Sequence, residues 1–575
     1  MSFAETCRKV AEQFIRTVVV IDDRGFAEPP PDAIVHEAVP PDSRGYEPPS
    51  NEPRAADSAD VESGCREPPG DPDPIKHDLD GMGLTRCFAR MGINCAIYVP
   101  DPDETFPSGA EPGGSGTARI LARRADIVVV DWLLDGRNSK QARELIRRTL
   151  EDDRLQGGRL RLMAVYTGAD NLKAHRQDVR SDLAKAGMQL RDDDSEGVLA
   201  LSGPQLRIVF FHKDHDLLPV REHVVSEADL PGRLVGEFAR MTEGVMPSIA
   251  LAAISAVRDG THNILAKFGR SLDPALAAHR SMLKTPSDAE DYALRLVSEE
   301  LQVRLEGTWP ERFRPTAAVF GDWVDHLSAR GMTFNLTGKP EHQILPDVVK
   351  ALLVNGAADH GPVSTSVVSN PVSKSKVWQH LTNLFSSSPK EAELANLMFA
   401  RMALLRREAY GTPELPQGWL PTLTLGTIVV LQPSSSGCGA TTVPEYYLCL
   451  QPRCDAVRLS KERPFPFLPL DVREDASVAF SLVVRVREGR DLRLQPRTSP
   501  YEIQMIDFAP TADLGLVRGE RGSEGFRFRD VQGRLFEWLG EMRPSAAQRV
   551  AQQMSSQFGR VGLDEFEWLR LNAER

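Results

Sequence analysis

The sequence lacks a long hydrophobic run, an excess of basic residues and a paired pattern of cysteines. Its most apolar stretch, residues 249–257, is about half as long as the eighteen or so residues that a membrane-spanning helix needs. Seven cysteines scattered over 575 residues do not form a disulfide framework. The 81 acidic residues outnumber the 69 basic ones, and the net charge of -12 argues against nucleic acid or an anionic membrane as the main partner.

The start of the chain also lacks a targeting pattern. Residues 1–6 contain neither a basic leader nor a hydrophobic block, which predicts no secretory signal and therefore a cytoplasmic protein. The chain is far longer than a single hydrophobic core, so we expect three or four domains. Its composition, 41% hydrophobic and 26% charged, is typical of a soluble globular protein.

A segment rich in proline and acidic residues interrupts the N-terminal part of the chain. Twelve prolines lie between residues 29 and 74, and 14 acidic residues stand against four basic ones between residues 27 and 80. Such a composition cannot bury enough apolar surface to offset the entropy of ordering the chain. We therefore interpret residues 24–80 as an inserted, loosely tethered loop. It can be a solvated insertion, a gate over a neighbouring site or a binding segment, and the residues do not decide between these.

Short apolar runs rich in Val and Ile alternate with helical patterns before residue 225. The five runs are Thr17–Ile21 and residues 95–99, 126–131, 160–166 and 206–211. Strands that are apolar on both faces and alternate with helices are typical of a parallel, doubly wound sheet. We predict a five-stranded α/β domain of this kind over residues 1–225.

The remainder of the chain changes its pattern twice. Residues 226–411 are mostly helical, with capping boxes that begin at Ser287 and Ser388, and the helix after Ser388 is predicted to run to Tyr410. Residues 412–530 contain short strands between Pro, Gly and Asp turns, which predicts a small β-rich domain.

The pattern returns to helix from Leu535, so residues 531–575 are predicted to form C-terminal helices. We interpret residues 544–571 within them as a packing or dimerisation element, which makes a homodimer one of the assemblies to consider.

Polar side chains follow four of the predicted parallel strands. Asp22 and Asp23 come after the first strand, Asp131 ends the third, Thr167 follows the fourth and Lys213 the fifth. Parallel sheets place ligand sites at the carboxyl ends of their strands. Three carboxylates brought together repel one another unless a cation holds them, and such a cluster of hard oxygens suits Mg²⁺. A carboxylate there can accept a phosphoryl group, whose oxygens a hydroxyl and an ammonium can then bind.

In these residues the sequence resembles the receiver domain of two-component response regulators, over roughly residues 17–215. The resemblance implies a flavodoxin-like fold in which Asp131 is the phosphoacceptor and Asp22 and Asp23 are carboxylate ligands of Mg²⁺. It further implies that the backbone carbonyl of Leu133 is a ligand of the same ion.

The resemblance also assigns the residues that respond to the phosphoryl group. Thr167 corresponds to the switch hydroxyl, Lys213 to the lysine of the pocket and Phe210 to the switch aromatic. Three departures stand out: Asp135 and Asp214 occupy positions where the family usually has proline, and the acidic insertion lies beside the pocket. These departures put the ordinary switching geometry in doubt and leave every catalytic group in place.

A narrower resemblance covers more of the chain. Thr17–Asp23 and residues 125–136, 162–168 and 261–268 look like a divergent receiver family that occurs in bacterial two-component anti-phage defence systems of the Detocs type. In those systems a cytosolic sensor histidine kinase phosphorylates receiver proteins. One kind carries a toxic effector domain, and another lacks an effector and absorbs stray phosphoryl groups.

These observations lead to one hypothesis with two alternatives. The protein is expected to be a cytoplasmic response regulator that accepts a phosphoryl group on Asp131 from a sensor histidine kinase, and acts as a regulator or a phosphoryl sink beside a receiver–effector protein. One alternative is an effector enzyme that phosphorylation activates, with an unrecognised site in the C-terminal half. The other is an inactive receiver that serves as a scaffold.

Overall fold

The computed structural model describes most of the chain, with gaps. The described residues are 2–24, 79–100, 116–134, 138–194, 197–214, 223–283, 285–286, 288–307, 316–336, 343–356, 381–407, 418–432, 443–474, 480–486, 490–511, 515–522 and 525–558. Most of the predicted acidic insertion, Ser287 of the first capping box and the chain after residue 558 therefore lie outside them.

The helices and strands within the described residues are as follows. The helices are α1 Phe3–Phe14, α2 Gly81–Arg90, α3 Thr117–Arg124, α4 Lys140–Leu155, α5 Leu172–Lys185, α6 Leu230–Met241, α7 Val245–Lys267, α8 Asp273–Met282, α9 Asp288–Gly307, α10 Ala317–Ala329, α11 Pro346–Asn355, α12 Pro389–Arg401 and α13 Pro544–Phe558. The strands are β1 Thr17–Ile21, β2 Asn94–Tyr98, β3 Ile127–Val130, β4 Arg161–Thr167, β5 Arg191–Asp192, β6 Leu199–Ser202, β7 Leu206–Lys213, β8 Val224–Val225, β9 Phe334–Asn335, β10 Gln343–Ile344, β11 Leu404–Arg407, β12 Thr427–Leu431, β13 Glu445–Cys449, β14 Arg463–Val472, β15 Leu482–Arg485, β16 Asp491–Pro496, β17 Gln504–Phe508, β18 Glu520–Gly522, β19 Gly525–Arg529 and β20 Leu535–Met542.

The chain divides into two compact units. The first, here called the parallel-sheet unit, comprises Arg8–Asp152 and Leu160–Thr242. The second unit comprises Met1–Cys7, Asp153–Arg159 and Glu243–Arg575. No helix in the described part of either unit is long and apolar enough to span a bilayer.

The parallel-sheet unit contains the predicted doubly wound sheet. Its strand order is β2-β1-β3-β4-β7-β6-β5, and the five strands from β2 to β7 in this order run parallel. Val/Ile-rich β1 and β3 lie at its centre with Val18 opposite Ile127, and their side chains are buried because helices cover both faces. The prediction of a five-stranded parallel, doubly wound sheet is confirmed.

Three short strands extend this sheet beyond the prediction. β5 and β6 add an antiparallel hairpin at the side of β7, and β8 pairs in parallel with the end of β7. β7 is therefore an inner strand, and its Phe210 lies between Val165 of β4 and Leu199 of β6. Phe210 is fully buried in the apolar core of the unit.

Buried ionic groups hold helices against this sheet. The guanidinium of Arg161, at the start of β4, donates to the carbonyls of Ala122 and Ala125, each at 2.9 Å. On β7, Nε of Arg207 donates to Oε2 of Glu237 on α6 at 2.7 Å, and both side chains are almost completely buried. These contacts satisfy charges that would otherwise be expensive to remove from water.

The second unit contains the remaining helices and a ten-stranded sheet. The main strand order of the sheet is β15-β16-β14-β13-β12-β20-β19-β18; β11 pairs with β20 and β17 pairs with β14. All of these pairings are antiparallel, and apolar clusters pack on the sheet. The predicted helical region followed by a β-rich region is confirmed.

Two predictions of helix are wrong. The helix after Ser388 ends at Arg401 and is followed by strand β11, because the backbone there pairs with β20. Residues 408–411 lie outside the described part of the chain. Leu535–Met542 is strand β20 rather than helix, since its backbone pairs with β12 and its alternate residues Phe536 and Trp538 are buried in an apolar cluster on one face of the sheet. The capping box at Ser388 is confirmed, because its side chain accepts from the N–H of Glu391.

Candidate metal centre

Three carboxylates meet at the carboxyl ends of β1 and β3. The backbone N–H of Asp131 donates to the carbonyl of Ile21 at 2.9 Å, which holds the ends of the two strands side by side. One oxygen each from Asp22, Asp23 and Asp131 lies within 4.8 Å of the other two. Asp22 and Asp131 are buried, and Asp23 is partly exposed. The three residues predicted from strand ends are therefore brought together.

Lys213 reaches the same point from the end of β7. Its Nζ donates to Oδ2 of Asp22 at 2.7 Å and lies 3.7 Å from Oδ2 of Asp131. The lysine side chain is 5% exposed. Because a buried ammonium needs a partner, its position is fixed by the carboxylates that it contacts.

Asp131 is oriented by groups from two strands. Its Oδ1 accepts the backbone N–H of Trp132 at 2.8 Å, which leaves Oδ2 on the side of Lys213. The side chain of Thr167, at the end of β4, also hydrogen-bonds to Asp131. The Thr167 hydroxyl in turn accepts the N–H of Ala169 at 3.2 Å. The predicted hydroxyl thus lies beside the predicted phosphoacceptor.

The pKa values in the pocket show that negative charge is crowded there. Burial, followed by the charges of Asp131 and Asp22, raises the pKa of Asp23 to about 6. Burial also raises the pKa of Asp131, although the charge of Lys213 opposes it. Burial alone would lower the pKa of Lys213, but the neighbouring carboxylates outweigh it and raise that pKa. Lys213 is therefore a cation, and below about pH 6 the metal-free pocket retains a proton on Asp23.

The donor set fits Mg²⁺. A divalent cation would replace the retained proton and neutralise the remaining carboxylate charge, and Mg²⁺ prefers carboxylate oxygens. Both oxygens of Asp22 already accept hydrogen bonds, one from Lys213 and one from the N–H of Arg24 at 2.9 Å. Leu133 lies in the turn two residues after Asp131, and the role of its carbonyl stays a prediction.

A comparison with protein-family models matches residues 14–218 to the response receiver domain. This part of the chain is a receiver domain. The match includes every residue of the pocket from Asp22 to Lys213, and it ends at residue 218. No curated protein and no solved structure shows a significant match to the chain.

One departure from the usual receiver pattern can be located in the structure. The peptide bond after Lys213 is trans, as are all described peptide bonds, so Asp214 does not reproduce a cis bond. Asp135 lies outside the described residues. Phe210 is enclosed in the core of the receiver domain, and its role as the switch aromatic stays a prediction.

Sequence reasoning missed an acidic pair beside the receiver pocket. The backbone N–H of Asp80, at the start of α2, donates to Oε1 of Glu227 at 3.1 Å. Burial raises the pKa of Glu227, which also responds to the charges of Lys213 and Asp22. Nothing in the sequence around Glu227 marks it, because the contact depends on how the chain after β8 returns to α2.

A second missed feature is an aromatic contact that joins two pocket loops. The Trp132 ring stacks on the His175 ring, with 4.5 Å between their centroids. Trp132 follows Asp131, and His175 lies in the first turn of α5, soon after Thr167. Burial lowers the pKa of His175 to about 4, so the imidazole is neutral near neutral pH. The phosphoacceptor loop and the Thr167 loop are therefore packed together.

The acidic insertion leaves and re-enters the receiver domain at one place. The N–H of Leu79 donates to the carbonyl of Arg24 at 3.4 Å. Arg24 follows Asp23 directly, and Asp80 caps α2 by accepting the N–H of Gly83 at 2.8 Å. Both ends of the insertion are thus attached beside the three carboxylates.

Proposed function

We propose that this protein is a response regulator whose receiver domain accepts a phosphoryl group on Asp131 from a sensor histidine kinase, in a Mg²⁺-dependent reaction. One observation carries the proposal. The ammonium of Lys213 lies 2.7 Å from Asp22 and 3.7 Å from Asp131, within a buried group of three carboxylates beside the Thr167 hydroxyl. A scaffold with no chemistry has no need for this concentration of buried charge.

The pocket residues have distinct roles in the proposed transfer. A carboxylate oxygen of Asp131 attacks the phosphorus, the bond from phosphorus to the kinase histidine breaks, and its electron pair leaves with the imidazole, which takes up a proton. Lys213 and Thr167 donate hydrogen bonds to oxygens of the transferred group. Mg²⁺, held by Asp22, Asp23 and Asp131, would neutralise charge on the same oxygens.

Hydrolysis completes the proposed cycle. A water molecule attacks the phosphorus of the aspartyl phosphate, the bond to the Asp131 oxygen breaks, and inorganic phosphate leaves as the carboxylate is restored. Because hydrolysis restores the unmodified Asp131 side chain, the receiver returns to its starting state after each cycle.

We infer that the output is contact with another protein, as a regulator or as a phosphoryl sink in bacterial anti-phage signalling. The sequence outside the receiver domain contains no Walker loop, nucleophile elbow or zincin motif, which favours this output over an effector enzyme. Genes for a sensor kinase and a separate receiver–effector beside this gene would support the sink. A kinase gene alone would support the effector.

Phosphorylation by acetyl phosphate tests the acceptor directly. With Mg²⁺, the wild-type protein should gain the mass of one phosphoryl group, and Asp131→Asn should gain none. Asp178→Asn, which removes an exposed carboxylate of the same domain, should behave like the wild type. Equal labelling of wild type and Asp131→Asn would refute the assignment of the acceptor.

Lys213→Ala separates phosphoryl transfer from metal binding. Because the lysine donates to oxygens and is not a metal ligand, this variant should bind Mg²⁺ at least as well as the wild type. It should be phosphorylated on the order of 100-fold more slowly, as is typical when a charged donor is removed from a transferring group. Wild-type transfer rates in this variant would remove the lysine from the mechanism.

A further inference from the structure

Neither the backbone after Lys213 nor the side chain of this residue is stiff by itself. The peptide bond that follows Lys213 is trans, and the next residue is Asp214 rather than a proline, which would fix a backbone torsion. The side chain adds a flexible stem of four carbons before its ammonium. The position of the ammonium therefore has to be set by the residues around the lysine.

The backbone of Lys213 is held by β8, a strand of two residues. The N–H of His212 donates to the carbonyl of His223 at 2.9 Å, and Lys213 lies in parallel register with Val225. So short a pairing supplies very few hydrogen bonds, each of which contributes little net stability. The strand β8 therefore needs an anchor of its own.

Tyr166 supplies that anchor from the interior of the receiver domain. Its side chain is 1% exposed, and its hydroxyl donates to the carbonyl of Val225 at 2.9 Å. Burial, followed by the charge of Glu227, raises the pKa of Tyr166, so the hydroxyl keeps the proton that it donates. Because Val225 is the residue in register with Lys213, this hydrogen bond fixes β8 at the position next to the lysine.

Glu227 supports β8 at its other end. It lies two residues after Val225, and its Oε1 accepts the backbone N–H of Asp80, at the start of α2, at 3.1 Å. Between the strand and α6, the hydroxyl of Ser226 accepts the N–H of Asp229 at 3.2 Å. The end of β8 is therefore tied to the starts of two helices.

The residue before Asp80 leads back to the carboxylate that holds the lysine. The N–H of Leu79 donates to the carbonyl of Arg24 at 3.4 Å, and the N–H of Arg24 donates to Oδ1 of Asp22 at 2.9 Å. Oδ2 of Asp22 accepts from Nζ of Lys213 at 2.7 Å. These contacts form a closed circuit that holds both the backbone and the ammonium of the lysine.

We propose that Tyr166 and Glu227 are positioning residues, which hold the ammonium of Lys213 where a transferred phosphoryl group needs it. The inference rests on the proposed function, because it concerns the lysine of that reaction. A displacement of about 1 Å in a reacting group can cost about 100-fold in rate. Each of the two residues acts through β8 on the lysine, and neither binds the phosphoryl group.

A cycle of variants separates positioning from general support of the fold. With Mg²⁺ and acetyl phosphate, Tyr166→Phe should be phosphorylated about tenfold more slowly than the wild type, because the anchor of β8 is lost while the ring is kept. In a Lys213→Ala background the same change should alter the rate by less than about twofold, because no ammonium is left to misplace. Tyr501→Phe changes a tyrosine that is 97% exposed and should behave like the wild type.

Glu227 is tested by a pair of variants. Glu227→Ala removes the acceptor for the N–H of Asp80 and should slow phosphorylation about fivefold, again only when Lys213 is present. Glu227→Gln keeps an oxygen at the same position and should recover most of the lost rate. A loss of equal size in both variants would remove this hydrogen bond from the proposal.

Acetylation of the lysine gives a readout that needs no phosphoryl transfer. In the metal-free wild type the Lys213 side chain is 5% exposed and paired, so acetic anhydride should modify it slowly. Tyr166→Phe and Glu227→Ala should each raise this rate about tenfold, measured by mass spectrometry of peptides, because a loosened β8 lets the lysine leave its partners more often. Lys185, which is 74% exposed, should react equally in all variants.

The outcomes distinguish this proposal from the proposed function. Equal labelling of the wild type and Asp131→Asn by acetyl phosphate would refute the acceptor, and the positioning role with it. If Asp131 is labelled but Tyr166→Phe slows the reaction equally with and without Lys213, the positioning role is overturned and the acceptor stands. Wild-type rates of phosphorylation or of lysine acetylation in Tyr166→Phe would overturn the positioning role in the same way.

Discussion

The charge of Asp23 responds to pH in the range just below neutrality. Its pKa is raised to about 6 by burial and by Asp131 and Asp22, and it is the most exposed of the three carboxylates. A proton on Asp23 and a bound Mg²⁺ compete for the same oxygens. The pH of the solution therefore enters the chemistry of the site through this side chain.

We expect the affinity for Mg²⁺ to be full above about pH 7 and to fall about tenfold for each pH unit below 6, because one proton must be displaced. Isothermal titration at several pH values measures this. The stability of the metal-free protein changes with pH in the opposite direction to the Mg²⁺ affinity. The folded protein binds this proton more tightly than the unfolded chain does, so its free energy of unfolding falls as pH rises from about 4 to about 6.

Asp23→Asn supplies the control for this dependence. It should lose most of the Mg²⁺ affinity and its pH dependence, and its metal-free form should be no less stable than the wild type near neutral pH. Asp347→Asn changes a carboxylate that is 95% exposed and should leave both measurements unchanged. A Mg²⁺ affinity that is flat between about pH 5 and 7 would remove Asp23 from the site.

Single residues differed in how far the sequence could predict them. Asp22, Asp131 and Lys213 were predictable because strand ends in a parallel sheet share an edge, and the structure brings these residues together. Glu227 and the contact between Trp132 and His175 depend on loop paths, which no local pattern encodes. The distances that turn polar residues into a pocket are likewise set by tertiary packing.

At the scale of elements, α6 is held to β7 by a buried ion pair. Glu237→Ala would leave the buried Arg207 guanidinium with Asp193 as its remaining carboxylate partner, which puts the expected cost near the lower end of the about 3–5 kcal/mol typical of breaking a buried pair. We expect a loss of this size in the free energy of unfolding, measured by urea denaturation followed by circular dichroism.

A double replacement distinguishes lost charge pairing from lost packing. Arg207→Met combined with Glu237→Leu removes both charges and keeps apolar volume, so it should be clearly more stable than Glu237→Ala. Glu393→Ala removes a partner of Arg493 that is 45% exposed and should cost less than about 1 kcal/mol. A Glu237→Ala variant as stable as this surface control would contradict the structural role of the pair.

Strands were predictable where their composition was unambiguous. β1 and β3 consist of Val, Ile and Thr, and their bounds agree with the prediction to within one residue. β14 carries prolines at 464, 466 and 469, which argue against a strand in sequence. β20 contains Leu, Glu and Met, which favour helix, and sheet pairing overrides that preference.

At the scale of the whole molecule, the receiver match stops at residue 218 and the assignment of the chain into four domains stays a prediction. The sequence could predict where helical patterns give way to β patterns. It could not predict that the chain after β7 returns to the sheet as β8, because two residues carry too little pattern to identify a strand.

Excision of the insertion tests how far the receiver domain depends on it. Replacing residues 25–78 by a short Gly/Ser linker should preserve Mg²⁺-dependent phosphorylation by acetyl phosphate, because Arg24 and Leu79 already lie together. The variant should be more stable by about 2 kcal/mol, since loop closure costs about 0.6 kcal/mol for each doubling of loop length. Thermal unfolding and phosphorylation rates measure the two effects.

A linker of equal length to the insertion, but without its acidic residues, is the control. It should restore wild-type stability, because only length has been kept. If excision abolishes phosphorylation while this control retains it, the length of the loop is required for the reaction. If both lose it, the acidic composition is required.

The two ends of the insertion lie together beside the pocket, so a force on the loop acts directly on the pocket residues. Arg24 bears one end of the loop, and its backbone N–H holds an oxygen of Asp22 at 2.9 Å. At the other end, the backbone N–H of Asp80 donates a hydrogen bond to the carboxylate of Glu227. A protein that binds the loop and displaces it would first move these two hydrogen bonds. It would thereby shift the carboxylates of the pocket without contacting them.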